Sequence, residues 1–276
     1  MNKFVLELFL HIAGFGSASG LVYNENQLAV VSDADDYLYT YSMVDHKLHS
    51  LPLKDNAGQQ LEKKIKPDYE AITKSGDYYY IFASGSKEQR TDFVSVNAKT
   101  KEVVHQDLSN LYENIVAFHE MDAKELNIEG VVKDGADWLL FNRGNGKHGL
   151  NFIATVQGNN LVDDFNVVID PFKLPKIDGE QTGFSDAVLV GKNIYFLATA
   201  EGSKDVVADG NIGGSLLGCI DLKKMKLKWT KVISKTQKFE GITVFEESKK
   251  KLSFLLCEDP DNGATTSDIY KITIKK

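Results

Sequence analysis

Cysteine, proline, arginine and long apolar runs are all scarce in this chain of 276 residues. The two cysteines, Cys219 and Cys257, are too few for a disulfide framework. Both lie inside apolar runs and read as inert core residues. Five prolines and 22 glycines exclude collagen-like and Pro-rich low complexity. No run approaches the roughly 18 apolar residues a membrane-spanning helix needs. Only Arg90 and Arg143 supply a guanidinium, against 32 lysines and arginines together. The net charge of −7 argues against nonspecific nucleic-acid binding. Apolar residues at 42% and charged residues at 26% fit a globular chain.

Helical periodicity is scarce too, and Leu108–Phe118 is its best candidate. Strand-like runs are many: Gln27–Val31, Tyr37–Tyr41, Tyr78–Phe82, Phe93–Val96, Trp138–Phe141, Phe152–Val156, Ile194–Ala198, Leu217–Leu222, Leu252–Leu256 and Ile269–Ile274. They are rich in Val, Ile, Tyr and Phe and are punctuated by Gly, Asn and Asp, which reads all-β. Phe4–Ala13 has the apolar core of a signal peptide after Lys3, but Glu7 and His11 interrupt it. Alternation of Leu6, Leu8, Leu10 and Ile12 fits a strand better. Without a convincing leader, a cytoplasmic place is favoured over export.

One pattern recurs five times. Ser19-Gly20, Glu70-Ala71, Glu129-Gly130, Ser185-Asp186 and Glu240-Gly241 each open an apolar strand, a turn and a second apolar strand. The lead residues are 51, 59, 56 and 55 positions apart. A unit of about 55 residues holds four short strands, the size of a propeller blade. Five blades fill residues 1–276 as a single domain, which predicts a five-bladed β-propeller. Pairing Phe4–Ile12 with the blade of Ile269–Ile274 would close the ring and remove a free edge. The alternative is a β-sandwich with accidental repetition.

In a propeller, one repeat position lies at one height around a central channel. Ser19, Glu70, Glu129, Ser185 and Glu240 should therefore converge on the channel mouth. Three carboxylates aimed at one axis raise one another's pKa or demand a cation. An all-oxygen set suits calcium, with magnesium second, and is a poor fit to zinc or copper. A water-filled channel whose carboxylates take backbone hydrogen bonds is the other reading.

The ordered series Ser19, Glu70, Glu129, Ser185, Glu240 resembles that of the calcium-activated nucleotidases, the apyrases of five-bladed propeller type. The strings Ser19-Gly20-Leu21-Val22, Val31-Ser32-Asp33, Gly183-Phe184-Ser185 and Lys238-Phe239-Glu240-Gly241-Ile242 are similar as well. A looser resemblance extends to bacterial phytase-like and SdiA-regulated propellers. The first resemblance implies one central calcium and hydrolysis of nucleoside di- and triphosphates. Residues after the second strand of each blade return to the same face and are the candidate chemical groups. They are Asp33, Asp35 and Asp36; Ser84, Ser86, Lys87 and Arg90; Asn142, Arg143, Lys147 and His148; Thr199 and Glu201; and Glu258, Asp259 and Asp261. Both arginines fall in this set.

The expected roles follow. The five lead residues hold the metal, Arg143, Arg90 and Lys87 grip phosphate, and Asp33 orients the attacking water. Lys147, Glu201 and Glu258 complete the substrate-binding set. The chain departs from the nucleotidases in three blades. No basic residue follows Asp35-Asp36, blade four has Thr199 and Glu201 where they carry a lysine, and blade three has one basic residue, Arg143, for their pair. Two rival functions stay open: a non-catalytic binding propeller with structural calcium, and a lactone- or sugar-processing enzyme using His148 as base. The expected partner is a small phosphorylated molecule, with no nucleic acid and no membrane span, and the protein is expected to be a monomer. Gly144-Asn145-Gly146-Lys147 lacks phosphate-loop spacing and reads as a turn, as does Asp259–Gly263. No Gly-x-Ser-x-Gly nucleophile elbow occurs.

Overall fold

A computed structural model of the chain describes residues 4–55, 57–58, 66–118, 121–201 and 212–276. It is a five-bladed β-propeller of five four-stranded antiparallel sheets. Strand β1 (Phe4–Ala13) comes first in the chain. Blade one is β2 (Ala18–Asn24), β3 (Gln27–Ser32), β4 (Tyr37–Ser42) and β5 (Leu48–Pro52). Blade two is β6 (Tyr69–Ser75), β7 (Tyr78–Ala83), β8 (Asp92–Asn97) and β9 (Val103–Asp107). The helix α1 (Ser109–Phe118) follows, covering the candidate Leu108–Phe118 within a residue. Blade three is β10 (Ile128–Asp134), β11 (Asp137–Asn142), β12 (Asn151–Gly158) and β13 (Phe165–Phe172). Blade four is β14 (Thr182–Val190), β15 (Asn193–Glu201), β16 (Ile212–Asp221) and β17 (Lys226–Ser234). Blade five is β18 (Phe239–Glu247), β19 (Lys251–Glu258) and β20 (Thr266–Lys275), completed by β1.

The first and last strands meet in one blade. β1 pairs antiparallel with β20, so the first strand becomes the outermost strand of the last blade. One sheet thereby holds both ends of the described chain, and the edge of β20 is covered. No helix among the described residues is long and apolar enough to cross a membrane.

The core is five separate wedges, one per pair of neighbouring blades. Phe82, Phe93 and Trp138 fill the wedge between blades two and three, sealed outside by Leu111, Tyr112 and Ile115 of α1. Phe141, Phe184 and Phe196 form an edge-to-face stack between blades three and four. Strand alternation explains this arrangement. Each inner strand sends successive side chains to opposite sheet faces, so Ala71 enters one wedge and Ile72 the next. The outer strands carry the polar residues; β9, Val-Val-His-Gln-Asp, is almost wholly exposed.

Candidate functional site

The inner strands β2, β6, β10, β14 and β18 line the channel, and each carries a bulge at the same place. The register skips Ser19, Glu70, Glu129, Ser185 and Glu240 in turn. An extra residue in one strand bends it and re-aims its side chain. The five lead residues are therefore one structural device repeated around the ring. The position after the lead is small in four blades, Gly20, Ala71, Gly130 and Gly241, and at Gly130 and Gly241 the inner strand of the next blade approaches backbone to backbone. A Cβ on Gly130 would stand 2.9 Å from the Asp186 Cα, and one on Gly241 would stand 3.0 Å from the Leu21 nitrogen. Blade four places Asp186 there, and its carboxylate accepts the Ile242 N–H of blade five at 2.8 Å.

Two further sets sit at the same level. One lies two residues before each lead: Ser17, Asp68, Asn127, Gly183 and Lys238. The other follows the second strand at Asp33, Ser84, Arg143 and Asp259, and in blade four is Thr199, two residues before the end of β15. Backbone bonds tie the two sets together. Asp33 N–H donates to Ser17 O (3.3 Å), Ser84 to Asp68 (3.0 Å), Arg143 to Asn127 (2.8 Å) and Asp259 to Lys238 (3.0 Å). In blade four the pair is Gly183 and Thr199 of the β14–β15 ladder.

These rings are electrically lopsided. On blades three to five the carboxylates meet protein cations. Arg143 Nη1 donates to Glu129 Oε1 at 3.2 Å and lies 3.6 Å from Glu240 Oε1, while Nη2 donates to Thr199 Oγ1 at 3.1 Å. Asn127 Nδ2 donates to the same Glu129 oxygen at 2.6 Å. Lys238 Nζ lies 3.0 Å from Glu240 Oε1 and 3.0 Å from Asp261 Oδ2. Gly183 makes room for this bridge, since a Cβ there would fall 2.5 Å from the Arg143 Cγ.

On blades one and two three carboxylates crowd together, and Arg90 is paired with one of them. Asp33, Asp68 and Glu70 each bring one carboxylate oxygen within 4.8 Å of the others. Arg90 pairs with Asp68 from behind, and Ser84 Oγ donates to the same Asp68 oxygen at 2.6 Å. Burial pushes the Glu70 carboxyl well above its ordinary range, reinforced by the charges of Glu129, Asp68, Asp33 and Glu240. Burial likewise lifts Asp33 to about 6, against the pull of Lys66 and Lys238. Asp259 is lifted to about 8 by burial, opposed by Lys238 and helped by Asp261 and Asp33.

Three hard oxygen donors crowded this closely are of the kind that fits a hard divalent cation. The three residues belong to blades one and two. Glu129, expected beside it in the ring, accepts hydrogen bonds from Arg143 and Asn127, while Glu240 lies 3.0 Å from Lys238 Nζ as an ion pair with neither carboxylate oxygen hydrogen-bonded among the described residues. Ser185 Oγ donates to the Phe239 carbonyl at 2.8 Å, and Ser19 Oγ accepts the Asp33 N–H at 3.2 Å. Both arginines expected to grip phosphate are buried at 4% exposure and point into carboxylates. Lys87 is half-buried in the turn after β7, and Lys147 is exposed on the blade-three loop. The Glu258 carboxyl, raised by burial, takes a hydrogen bond from Tyr270. Glu201 ends β15, and its side chain lies outside the described residues.

A pH dependence follows for the metal-free protein. The folded state holds protons on Asp33 and Asp259 that the unfolded chain releases near pH 4. Folding therefore binds protons between about pH 4 and 8, and stability falls as pH rises through that window. Urea midpoints in chelator at pH 5 and pH 8 should show the loss, and Asp259→Asn should flatten it. An unchanged slope in Asp259→Asn would assign the dependence elsewhere.

Sequence reasoning missed Asp68, Asn127 and Lys238. The signal was available, because strand alternation puts the residue two before each lead on the same side. Asp259 and Asp261, expected both as candidate groups after the second strand of blade five and as part of a turn, are members of the charged mouth. The opposite end of the channel opens into a cavity of about 420 Å³ walled by the ends of all five inner strands.

The model of a family of unknown function, DUF6929, matches residues 14–274. No curated protein matches the chain. Among solved structures, Myxococcus xanthus glutaminyl cyclase is similar with a TM-score of 0.56 and 10% identity, over 98% of this chain and 97% of that one. The PQQ-bound aldose sugar dehydrogenase of Streptomyces coelicolor is similar with a TM-score of 0.56 and 10% identity, over 99% and 98%. Likeness at such identities carries the propeller fold alone. None of these matches supports the nucleotidase assignment that the lead residues suggest.

Proposed function

The chain belongs to DUF6929, a family of unknown function, and from that starting point we propose that it is a divalent-cation-dependent hydrolase of small phosphoesters or phosphoanhydrides. The observation that carries this reading is the convergence of Asp33, Asp68 and Glu70 within 4.8 Å at the mouth of the channel. These three residues would hold the ion, calcium before magnesium. When bound, such an ion supplies charge for phosphoryl oxygens and orients them. The protein's own groups frame that place. Arg90 and Ser84 fix Asp68, so the trio keeps its shape. Lys238 holds Glu240 and Asp261, and burial keeps Asp259 a protonated carboxyl at neutral pH that can donate to a substrate oxygen.

A second reading is favoured by one specific observation. Arg143 and Arg90 are both occupied by carboxylates, and blades one and four lack the basic residues of the nucleotidases. A binding propeller that recognises an oxyanion-bearing metabolite, glycan or protein through the ion would need none of them. Phosphate release separates the two. Nucleoside di- and triphosphates and p-nitrophenyl phosphate should be hydrolysed with calcium and not with chelator, and Glu70→Gln should lose the activity. Retained calcium binding with no release from any substrate would replace the hydrolase by the binding propeller.

A further inference from the structure

The loop that follows Arg143 carries a second chemical group that the cation site does not use. A 3₁₀ turn, Ala123–Glu125, precedes β10 and is capped by Asp122, which accepts the Lys124 N–H at 3.0 Å. The turn buries Glu125 at 6% exposure. Glu125 Oε1 accepts the backbone N–H of His148 at 3.1 Å and lies 2.8 Å from His148 Nδ1. Gly146 lets the loop lie flat on this carboxylate, since a Cβ there would come 3.0 Å from the Glu125 Cγ. Glu125 Oε2 is buried with no hydrogen-bond partner among the described residues.

The proton position follows from the partners. A carboxylate has no proton to give, so the proton in the Glu125–His148 contact sits on Nδ1. A neutral His148 then presents the lone pair of Nε2. That nitrogen has no partner among the described residues, and the side chain is 60% exposed. His105 is a contrast: its Nδ1 faces Asp92 and its Nε2 faces the Leu53 carbonyl, so both nitrogens are engaged. The His148 loop is also fixed to the ring. Arg143 at its start pairs with Glu129, and Asn151 at its end accepts the Gly144 N–H at 2.9 Å. Glu125 itself stands two residues before Asn127, which holds Glu129.

We infer that Glu125 and His148 form an oriented carboxylate–histidine dyad, with His148 Nε2 the general base of this mouth and Glu125 its positioning residue. The inference rests on the hydrolase reading and names its proton acceptor. Nε2 takes a proton from water as the O–H bond breaks, and the water oxygen forms its bond to phosphorus. The ester oxygen leaves with the bonding pair and receives the proton back from the imidazolium. Asp33 is then free to serve in the carboxylate trio. Glu125 faces Nδ1, and Lys147 precedes His148 in the loop.

Two readouts test the dyad. Long-range ¹H–¹⁵N correlation on the full chain should show neutral His148 as the Nδ1–H tautomer, and Glu125→Gln should shift it towards the free-imidazole mixture. An Nε2–H tautomer indifferent to Glu125→Gln would overturn the dyad. In the assay with p-nitrophenyl phosphate or nucleotides, His148→Gln should lower kcat by about 10² to 10⁴-fold with KM unchanged. Added imidazole should restore part of the rate in His148→Gly. Turnover unaffected by His148→Gln would equally overturn the inference. If no ester is turned over at all, the hydrolase reading falls, and with it the role as base; the tautomer then decides only whether the dyad exists.

Discussion

Replacing Arg143 by Met is expected to cost the folded protein about 3–5 kcal/mol, the usual penalty for leaving buried charges without their partner. The Arg143 side chain is 5% exposed and its guanidinium reaches groups on three blades, among them Glu129 of blade three, Thr199 of blade four and Glu240 of blade five. Removing it leaves Glu129 and Glu240 buried, with Lys238 beside Glu240 and Asn127 beside Glu129. Urea denaturation should show a much lower midpoint with little change in slope. Adding Glu129→Gln to the variant should recover part of the loss, because the two residues share one interaction. Full stability in Arg143→Met would mean that these carboxylates are already neutral and that Arg143 is no part of the framework.

The second large effect is calcium-linked. An ion bound only by the folded state stabilises it by about 2.7 kcal/mol when its concentration is about a hundredfold above Kd. The melting temperature should therefore rise with calcium and fall back with chelator. Glu70→Gln should abolish that rise, because Glu70 is one of the three carboxylates that converge. Glu129→Gln should reduce it far less, since Arg143 and Asn127 already occupy Glu129 Oε1. An ion on the propeller axis, held evenly by the whole lead ring, would make both substitutions equally damaging. The two variants thus discriminate between the symmetric arrangement that the sequence suggests and the off-axis one that the side chains favour.

The fold was legible because repetition makes it so. Five lead residues at near-even spacing, each opening an apolar strand, a turn and another strand, leave little room for another architecture. The apolar pattern of Phe4–Ala13 and of Ile269–Ile274 even gave the closure of the ring. The outer strands β5, β9, β13 and β17 were not individually visible. Their residues are half-exposed and polar, so alternation is weak where only one face touches a neighbour.

The site was legible to a lesser depth. Sequence spacing finds positions at one height but not the charge that each one meets. Glu70, Glu129 and Glu240 look equivalent in sequence. They differ because Arg143 crosses the channel above Gly183 and because Lys238 stands two residues before Glu240. The arginines attracted notice by their rarity and do lie at the mouth, but their partners are carboxylates of the same chain. His148 drew notice as the one histidine near the mouth. Its partner Glu125 lies outside the repeat pattern, in a short turn that no periodicity marks.

The most direct measurement is an anomalous difference map from crystals grown with calcium. The account predicts a peak among the carboxylates of Asp33, Asp68 and Glu70, on the blade-one and blade-two side of the channel. A peak on the axis between Glu129, Ser185 and Glu240, or no peak at a calcium concentration that saturates related oxygen-ligand sites, would contradict it.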